Sequence, residues 1–393
     1  MSAAGNVAVI GCGMTRFGEN FTSSYFDMII DAAHDALADA RLSLADVQAA
    51  WLGTCYPDDG GWEGNSGASL ADPLGLAPRP VTRVANLCAT GMDAVRNAAF
   101  AVAAGEFDLV LVVGAEKMRD VSARESLVAH HIEKTHPVLC KGRTAPGQFA
   151  LLATRYLETH GLDRRVLAEV AVKNHANGAL NPKAHFRRPV TVDEVLGAPR
   201  VSGPLGLLDC CPTTDGAAAV VLASIQRAER LGRPYAVIRG IGLGTHESQF
   251  SVPFRDDDFL GFPATQAAAA RAYAQAGIKD PRKEVDLVEC HDCFTITEIV
   301  NYEDLGLAPR GEGWRLVRDG TTALKGPLPV NPSGGLKSLG HPIGATGVRM
   351  IGELYTQLTD RAGPRQVPGA RRGVAHTLGG PGVVSCVAVL ERS

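Results

Sequence analysis

The sequence has no surplus of positive charge: 39 lysines and arginines face 42 aspartates and glutamates, a net charge of −3. A chain that works on a phosphodiester backbone needs a basic excess to displace counterions, so nucleic acid is excluded as the main partner. No apolar run approaches the roughly 18 residues that cross a bilayer, which argues against a membrane-embedded chain. Met1-Ser2-Ala3-Ala4-Gly5 lacks the charged-then-apolar pattern of a secretory leader, and Arg392-Ser393 is not a peroxisomal ending. Cysteines are few, nine and odd in number over 393 residues. Reduced thiols in a cytoplasmic setting are therefore expected, not a disulfide framework.

Apolar residues make up 45% of the chain and charged ones 21%, enough to bury a sizeable core. The length suits two domains or one large duplicated one. Short apolar runs alternate with amphipathic stretches, the pattern of an α/β fold with a largely buried sheet. Val7–Ile10 reads as a first strand, and apolar spacing predicts a helix over 26–41 with Met28, Ile29, Ala32, Ala33 and Leu37 inward. Val81–Ala85, a helix facing inward through Met92, Val95, Ala99 and Val102, and the strand Asp108–Val113 form a βαβ unit. Residues 119–207 are polar and broken by Pro137, Pro146, Pro182 and Pro189, which suggests an insertion with its own helices near 148–159 and 164–175. Strand character returns at Gly216–Leu222, Tyr235–Gly240, Glu284–Cys290 and Val383–Leu390. Helices are expected over Thr295–Leu305 and after the Gly-rich turn at 333–347, the latter facing inward through Val348, Ile351, Leu354, Tyr355 and Leu358. Cys88-Ala89-Thr90-Gly91 has a counterpart in Gly344-Ala345-Thr346-Gly347, so the chain reads as two α/β halves, 1–233 with the insertion and 234–393.

Gly11-Cys12-Gly13 invites a dinucleotide-binding reading, but Arg16 stands where the third glycine belongs and no helix follows directly, so a strand ending in a tight turn is expected. Four other segments fall where strands are expected to end, the place where open α/β sheets bind ligands. They are Asn86–Gly91, His291-Asp292-Cys293-Phe294, Gly340-His341-Pro342 and His376-Thr377-Leu378-Gly379-Gly380. A helix beginning just after Cys88 would favour its thiolate and lower the thiol pKa from about 8.5; the alternative is an inert buried thiol. His341, between a glycine and a proline, would be aimed by its rigid turn to take the Cys88 proton and then act as a donor; the alternative is a histidine capping a loop. Cys290 and Cys293 have C-x-x-C spacing, which admits a metal or redox site. No second ligand pair accompanies them, Cys290 and His291 would face opposite sides of a strand, and the thioredoxin-like context is missing. His130, His131 and His136 read as surface histidines, Cys210 and Cys211 as core thiols, and Asp58-Asp59 and Asp256-Asp257-Asp258 as solvated loop charges.

Taken together, these residues resemble the thiolase superfamily, and within it the sterol-carrier-protein type. The resemblance runs from Val7–Gly11 through Gly114-Ala115-Glu116-Lys117-Met118 and Asp215–Ala219 to the last strand. It is most specific at His291-Asp292-Cys293-Phe294 with Glu298, and at Asn331-Pro332-Ser333-Gly334-Gly335 leading to Gly340–Gly347. It implies duplicated βαβαβαββ halves in five α-β-α-β-α layers with two central sheets, and usually a homodimer. It also implies acyl-CoA and CoA as substrate and product with no resident cofactor or metal, and a loop domain at 119–207 covering the CoA. By the same resemblance Cys88 matches the acyl-accepting nucleophile and His341 the histidine that activates it. His291 stands where ordinary thiolases use an asparagine holding a water, and Cys293 matches the acid/base cysteine of the sterol-carrier type. Ordinary thiolases carry that second cysteine in the C-terminal Gly-rich loop, where this chain has none, and Cys386 is expected in the core. Backbone N–H groups of Cys88 and of the Leu378–Gly379 region, Gly379 foremost, are the expected oxyanion donors. Rival expectations are a retro-aldolase working with a small OB-fold partner, a decarboxylating condensing enzyme, and an acyl-CoA-binding scaffold subunit.

Overall fold

A computed structural model of the chain describes residues 6–56, 64–120, 144–246 and 259–393. His130, His131, His136, Asp58-Asp59 and Asp256–Asp258 lie outside the described residues, as does the first part of the expected insertion.

The strands are β1 (Val7–Met14), β2 (Ala49–Gly53), β3 (Val81–Val84), β4 (Leu109–Glu116), the small hairpin β5 (Arg200–Ser202) and β6 (Leu205–Gly206), β7 (Gly216–Ser224), β8 (Ala236–Thr245), β9 (Leu287–Glu289), β10 (Arg372–Gly379) and β11 (Val384–Arg392). Helices that build or flank the site are α1 (Tyr25–Ala40), α2 (Thr90–Ala103), α3 (Ala145–His160), α4 (Arg165–Ala179), α5 (Pro263–Ala276), α6 (Thr295–Asp304), α7 (Gly335–Leu339) and α8 (Ile343–Leu358). The main strands run in the order β3-β2-β4-β7-β1-β8-β11-β10-β9. Read inward from either edge, parallel pairing gives way to two antiparallel pairings, so the halves repeat one plan. The half-sheets touch through two residue pairs, Ala8↔Val237 and Val9↔Ala236. That contact joins what the resemblance gave as two separate central sheets.

Period-2 alternation divides the cores. Along β4, Leu109, Leu111 and Val113 face the layer containing α1, while Val110 and Val112 face the central layer of α2 and α8. Along β11, Cys386, Ala388 and Leu390 face that same central layer, and Val387 and Val389 face the layer containing α5. Five layers result, α1, half-sheet, α2 with α8, half-sheet, α5. Every inward residue expected on α1, α2 and α8 is buried, as is Cys386.

Gly11 and Gly13 do not form a tight turn. They lie inside β1, where a Cβ would come within 2.5 Å and 2.4 Å of the Ala36 backbone, so they let α1 lie against the strand. The duplicated Ala-Thr-Gly motifs meet at the centre: a Cβ on Gly91 would lie 2.4 Å from the Gly344 carbonyl, and one on Gly347 2.1 Å from the Met92 nitrogen. Only glycine allows two helix N-termini to approach so closely. Glu116 clasps the same junction, accepting from the Thr54 hydroxyl at 3.1 Å and from the N–H groups of Tyr56 at 2.9 Å and Gly344 at 2.8 Å.

Candidate active site

Cys88 sits on a sharp turn between β3 and α2. Leu87 occupies the left-handed region (φ 48°), uncommon for a side chain larger than glycine. The Thr90 hydroxyl pins the turn, accepting from the Asn86 N–H at 2.7 Å and donating to the Leu87 carbonyl at 2.5 Å. Cys88 itself is half-buried.

His341 was expected after a strand. It lies instead between two helices, α7 and α8, because Gly340 at φ 112° reverses the chain there. Its Nδ1 is 2.7 Å from the Thr346 hydroxyl, which donates onward to the Pro342 carbonyl at 2.9 Å. A hydroxyl that donates to a carbonyl must accept from the ring, so Nδ1 carries the proton and Nε2 keeps its lone pair.

His291 leaves the end of β9, its carbonyl held by Asn301 Nδ2 at 2.7 Å. Its ring meets that of His341 edge to face, centroids 5.1 Å apart. Ligand-type atoms of Cys88, His291 and His341 all lie within 4.8 Å of one another. Burial, then the neighbouring His341 and His376, hold the His291 pKa well below the usual histidine value, so the ring is neutral. Its Nδ1 is buried with no hydrogen-bond partner among the described residues. A thiol and two imidazoles are donors that zinc takes, but three protein ligands with a protonated thiol fit proton transfer around one carbonyl better than a closed metal site.

Cys293 is buried outside that triangle, its Sγ 3.9 Å from the Thr297 hydroxyl. Its thiol is raised well above the usual range, first by burial and then by Cys211 and Cys88, so the three sulfurs share one neighbourhood. Cys211 donates its N–H to the Cys293 carbonyl at 2.8 Å. Cys210 and Cys211 are half-buried in the wall here and are not the core thiols expected, because they lie on an extended segment bridging the chain at Phe294. Phe294 stacks on Phe149 of α3 at 4.8 Å, which brings the insertion onto the site. Cys290 belongs to the outer core and Cys293 to the central one, so the C-x-x-C pair is split.

One expectation needs correction. The Cys88 thiol is not lowered. Burial pushes it up to about 12, Glu116 adds to this, and the helix start offers too little to offset desolvation. The Gly380 and Cys88 N–H groups both act on the Cys88 sulfur and lower its pKa, less than burial raises it. His376 lies within β10, fully buried, its Nε2 3.1 Å from the hydroxyls of Thr265 and Ser385.

Sequence reasoning missed the polar frame beneath the site. Asp292 accepts from the Leu336 N–H at 2.6 Å and from Asn174 Nδ2 at 2.7 Å. Glu298 accepts from Asn174 at 2.6 Å and Asn331 at 2.7 Å, and pairs with Lys173 at 2.9 Å. Asp292 and Glu298 stood in the family motif, but their partners on α4 are more than a hundred residues away in sequence.

The motif set and the duplicated fold agree with family comparison. The thiolase N-terminal domain model matches residues 7–226 and the thiolase C-terminal domain-like model residues 245–392. The chain belongs to the thiolase family. It is 39% identical over 388 residues to an acetyl-CoA acetyltransferase of Methanothermobacter thermautotrophicus, covering 98% of this chain and 100% of that protein. It is 35% identical over 396 residues to sterol carrier protein 2 of Gallus gallus, covering 96% of this chain and 70% of that protein. Among solved structures, an assembly described as the Ltp2-ChsH2(DUF35) aldolase superposes with TM-score 0.86 at 26% identity over 100% of this chain and 99% of that one. A monomeric SCP2-thiolase-like protein of Mycobacterium smegmatis superposes with TM-score 0.73 at 20% identity over 100% and 78%, a likeness of fold.

Proposed function

We propose that this chain is an acyl-CoA C-acyltransferase that exchanges acyl groups between coenzyme A thioesters through an acyl-enzyme on Cys88. The observation that carries the reading is the Cys88–His291–His341 triangle within 4.8 Å. The full-length likeness to an acetyl-CoA acetyltransferase supports it.

In this reading Cys88 Sγ attacks the thioester carbonyl and its proton passes to His341 Nε2, the nitrogen that the Thr346 anchor leaves unprotonated. The N–H groups of Cys88 and of the Gly379–Gly380 turn receive the developing oxyanion, CoA leaves as its thiol with the Cys293 proton, and an acyl group remains on the Cys88 sulfur. In breakdown Cys88 attacks the 3-keto carbonyl instead, Cys293, held protonated by burial, gives its proton to the departing enolate, and free CoA then takes the acyl group off Cys88 and returns a proton to Cys293. In synthesis the Cys293 thiolate, left when departing CoA took its proton, removes the α-proton of a second acyl-CoA, and the carbanion attacks the acyl group and releases the Cys88 sulfur, which recovers its proton from His341. Neutral His291, and His341 once its Nε2 carries the Cys88 proton, donate to the enolate oxygen. A thiol raised to about 12 is shielded from adventitious chemistry until a bound thioester brings base, nucleophile and donors into line.

The working unit of this proposal is a cytoplasmic homodimer. The half-exposed edge strand β3, next to Cys88, leaves backbone donors and acceptors for a second copy. Among the described residues no helix is long and apolar enough to cross a membrane.

The test uses Cys88→Ala and Cys293→Ala with acetoacetyl-CoA and a longer 3-ketoacyl-CoA. Labelled acyl-CoA with peptide mass spectrometry is expected to place the adduct on Cys88. Retained turnover in Cys88→Ala would sink the acyl-enzyme. The likeness to the Ltp2-ChsH2(DUF35) aldolase motivates a second reading, a carbon–carbon lyase assembled with an OB-fold partner. Thiolysis by the purified chain alone would reject that reading, and aldol cleavage dependent on such a partner would favour it.

A further inference from the structure

A second cavity, of about 340 Å³, opens between α8 and β1, and none of Cys88, His291, Cys293 and His341 lines it. Arg349, Gly352 and Thr356 on one face of α8 line it together with Cys12 of β1. Arg349 is only 3% exposed. Its Nη1 is committed to Glu289 and to the Ser333 hydroxyl, 2.9 Å away. Its Nε and Nη2 are buried and have no hydrogen-bond partner among the described residues. These two nitrogens form the side-on fork of a guanidinium, the edge that takes two oxygens of a carboxylate or phosphate in parallel. A buried donor edge left without an acceptor is costly, and a ligand oxygen pair relieves that cost directly.

The other cations of the cavity are engaged. Arg361 pairs with Asp39, Arg365 with Glu353 at 3.0 Å, and Lys183 donates to the Met14 carbonyl at 2.8 Å. We propose that this cavity binds one small oxyanion, a carboxylate or a phosphate group, bidentate on Arg349 Nε and Nη2. Asp35, Asp39 and Glu353 also line the cavity, so a polyanion such as a nucleotide meets three carboxylates and is disfavoured. The occupant touches the reaction indirectly. Glu289 and Ser333, which hold Nη1, anchor the loop that leads through α7 to His341.

The experiment titrates the full chain with inorganic phosphate and, separately, with acetate, against chloride at equal ionic strength, reading thermal midpoint and calorimetric binding. A saturable rise of about 2 °C or more with either anion is expected, and the arm that responds identifies the tetrahedral or the planar oxyanion. Arg349→Lys keeps a cation for Glu289 but loses the fork, and binding should weaken at least about tenfold. Thr356→Phe fills the cavity and leaves the Arg349–Glu289 pair intact. It should abolish binding while turnover of acyl-CoA persists, and it decides the matter if Arg349→Lys does not fold. Stabilisation no greater than with chloride overturns the proposal. So does stabilisation that survives both substitutions, which would seat the anion elsewhere, for example where the phosphates of CoA go.

Discussion

The Thr346 hydroxyl stands 2.7 Å from His341 Nδ1 and spends its own proton on the Pro342 carbonyl, so a residue one turn into α8 decides which nitrogen of the histidine can act as a base. Thr346→Val, of nearly equal volume, should therefore cut kcat by about tenfold or more with little change in KM, and Thr346→Ser should retain most activity. Steady-state kinetics on acetoacetyl-CoA separate the two outcomes. Equal losses in both variants would show that packing, not the hydroxyl, matters.

A thiol held near 12 makes its own prediction about reagents. Alkylation of Cys88 by iodoacetamide in the substrate-free protein should climb about tenfold per pH unit from pH 7 through pH 10 without a plateau, since only the thiolate reacts. Peptide-resolved mass spectrometry follows the single site. A plateau below pH 8 would mean that the helix start outweighs burial after all.

Three histidines are buried in forms that resist protonation: His291 well below its ordinary value, His376 at about 3 and His175 at about 4, each first by burial. In the unfolded chain each takes a proton as pH falls through about 6.5, so the unfolded state binds more protons and stability must decline from there downward. The slope is about 1.4 kcal/mol per pH unit for each histidine, flattening near the folded values. Urea unfolding of wild type and His376→Gln between pH 7 and 4 should show a shallower decline in the variant.

Close backbone approach predicts an asymmetry between glycines. A Cβ at Gly344 would lie 2.4 Å from the Gly53 carbonyl and 2.6 Å from that of Ala115, and Gly344→Ala should cost about 1–3 kcal/mol and most of the activity. Gly197, with nothing within 4 Å of its added Cβ, should accept alanine with no loss. Thermal denaturation and activity of both variants measure the contrast.

Much of the frame was legible because its causes are local. Apolar spacing placed α1 at 26–41 against the observed Tyr25–Ala40, and α3 and α4 near 148–159 and 164–175. The expected strand Glu284–Cys290 shrinks to Leu287–Glu289 because Pro281–Glu284 turns as a short helix capped by Asp280. Helix α5, Pro263–Ala276, escaped notice because its inner face is alanine and threonine, which give no hydrophobic period, and strand β2 because Ala49–Gly53 is short and wholly buried. At the site, motif spacing and the family resemblance pointed to Cys88, His291, Cys293 and His341, and the fold brings Cys88, His291 and His341 within 4.8 Å of one another. Spacing and resemblance were insufficient for the Cys88 pKa, which depends on desolvation by distant segments, and for the Glu116 clasp, whose donors come from both halves.

The contact between Gly91 and Gly344 also bears on when the chain becomes reactive. Cys88, the nucleophile proposed above, leaves the ribosome some 250 residues ahead of His341, the base proposed for it. A polypeptide released early would present the Cys88 sulfur without His341 and without the Gly380 N–H that acts on it in the folded chain. In the reading proposed above, acyl transfer would therefore wait until both halves have folded together, since only then do Cys88, His291 and His341 come within 4.8 Å of one another.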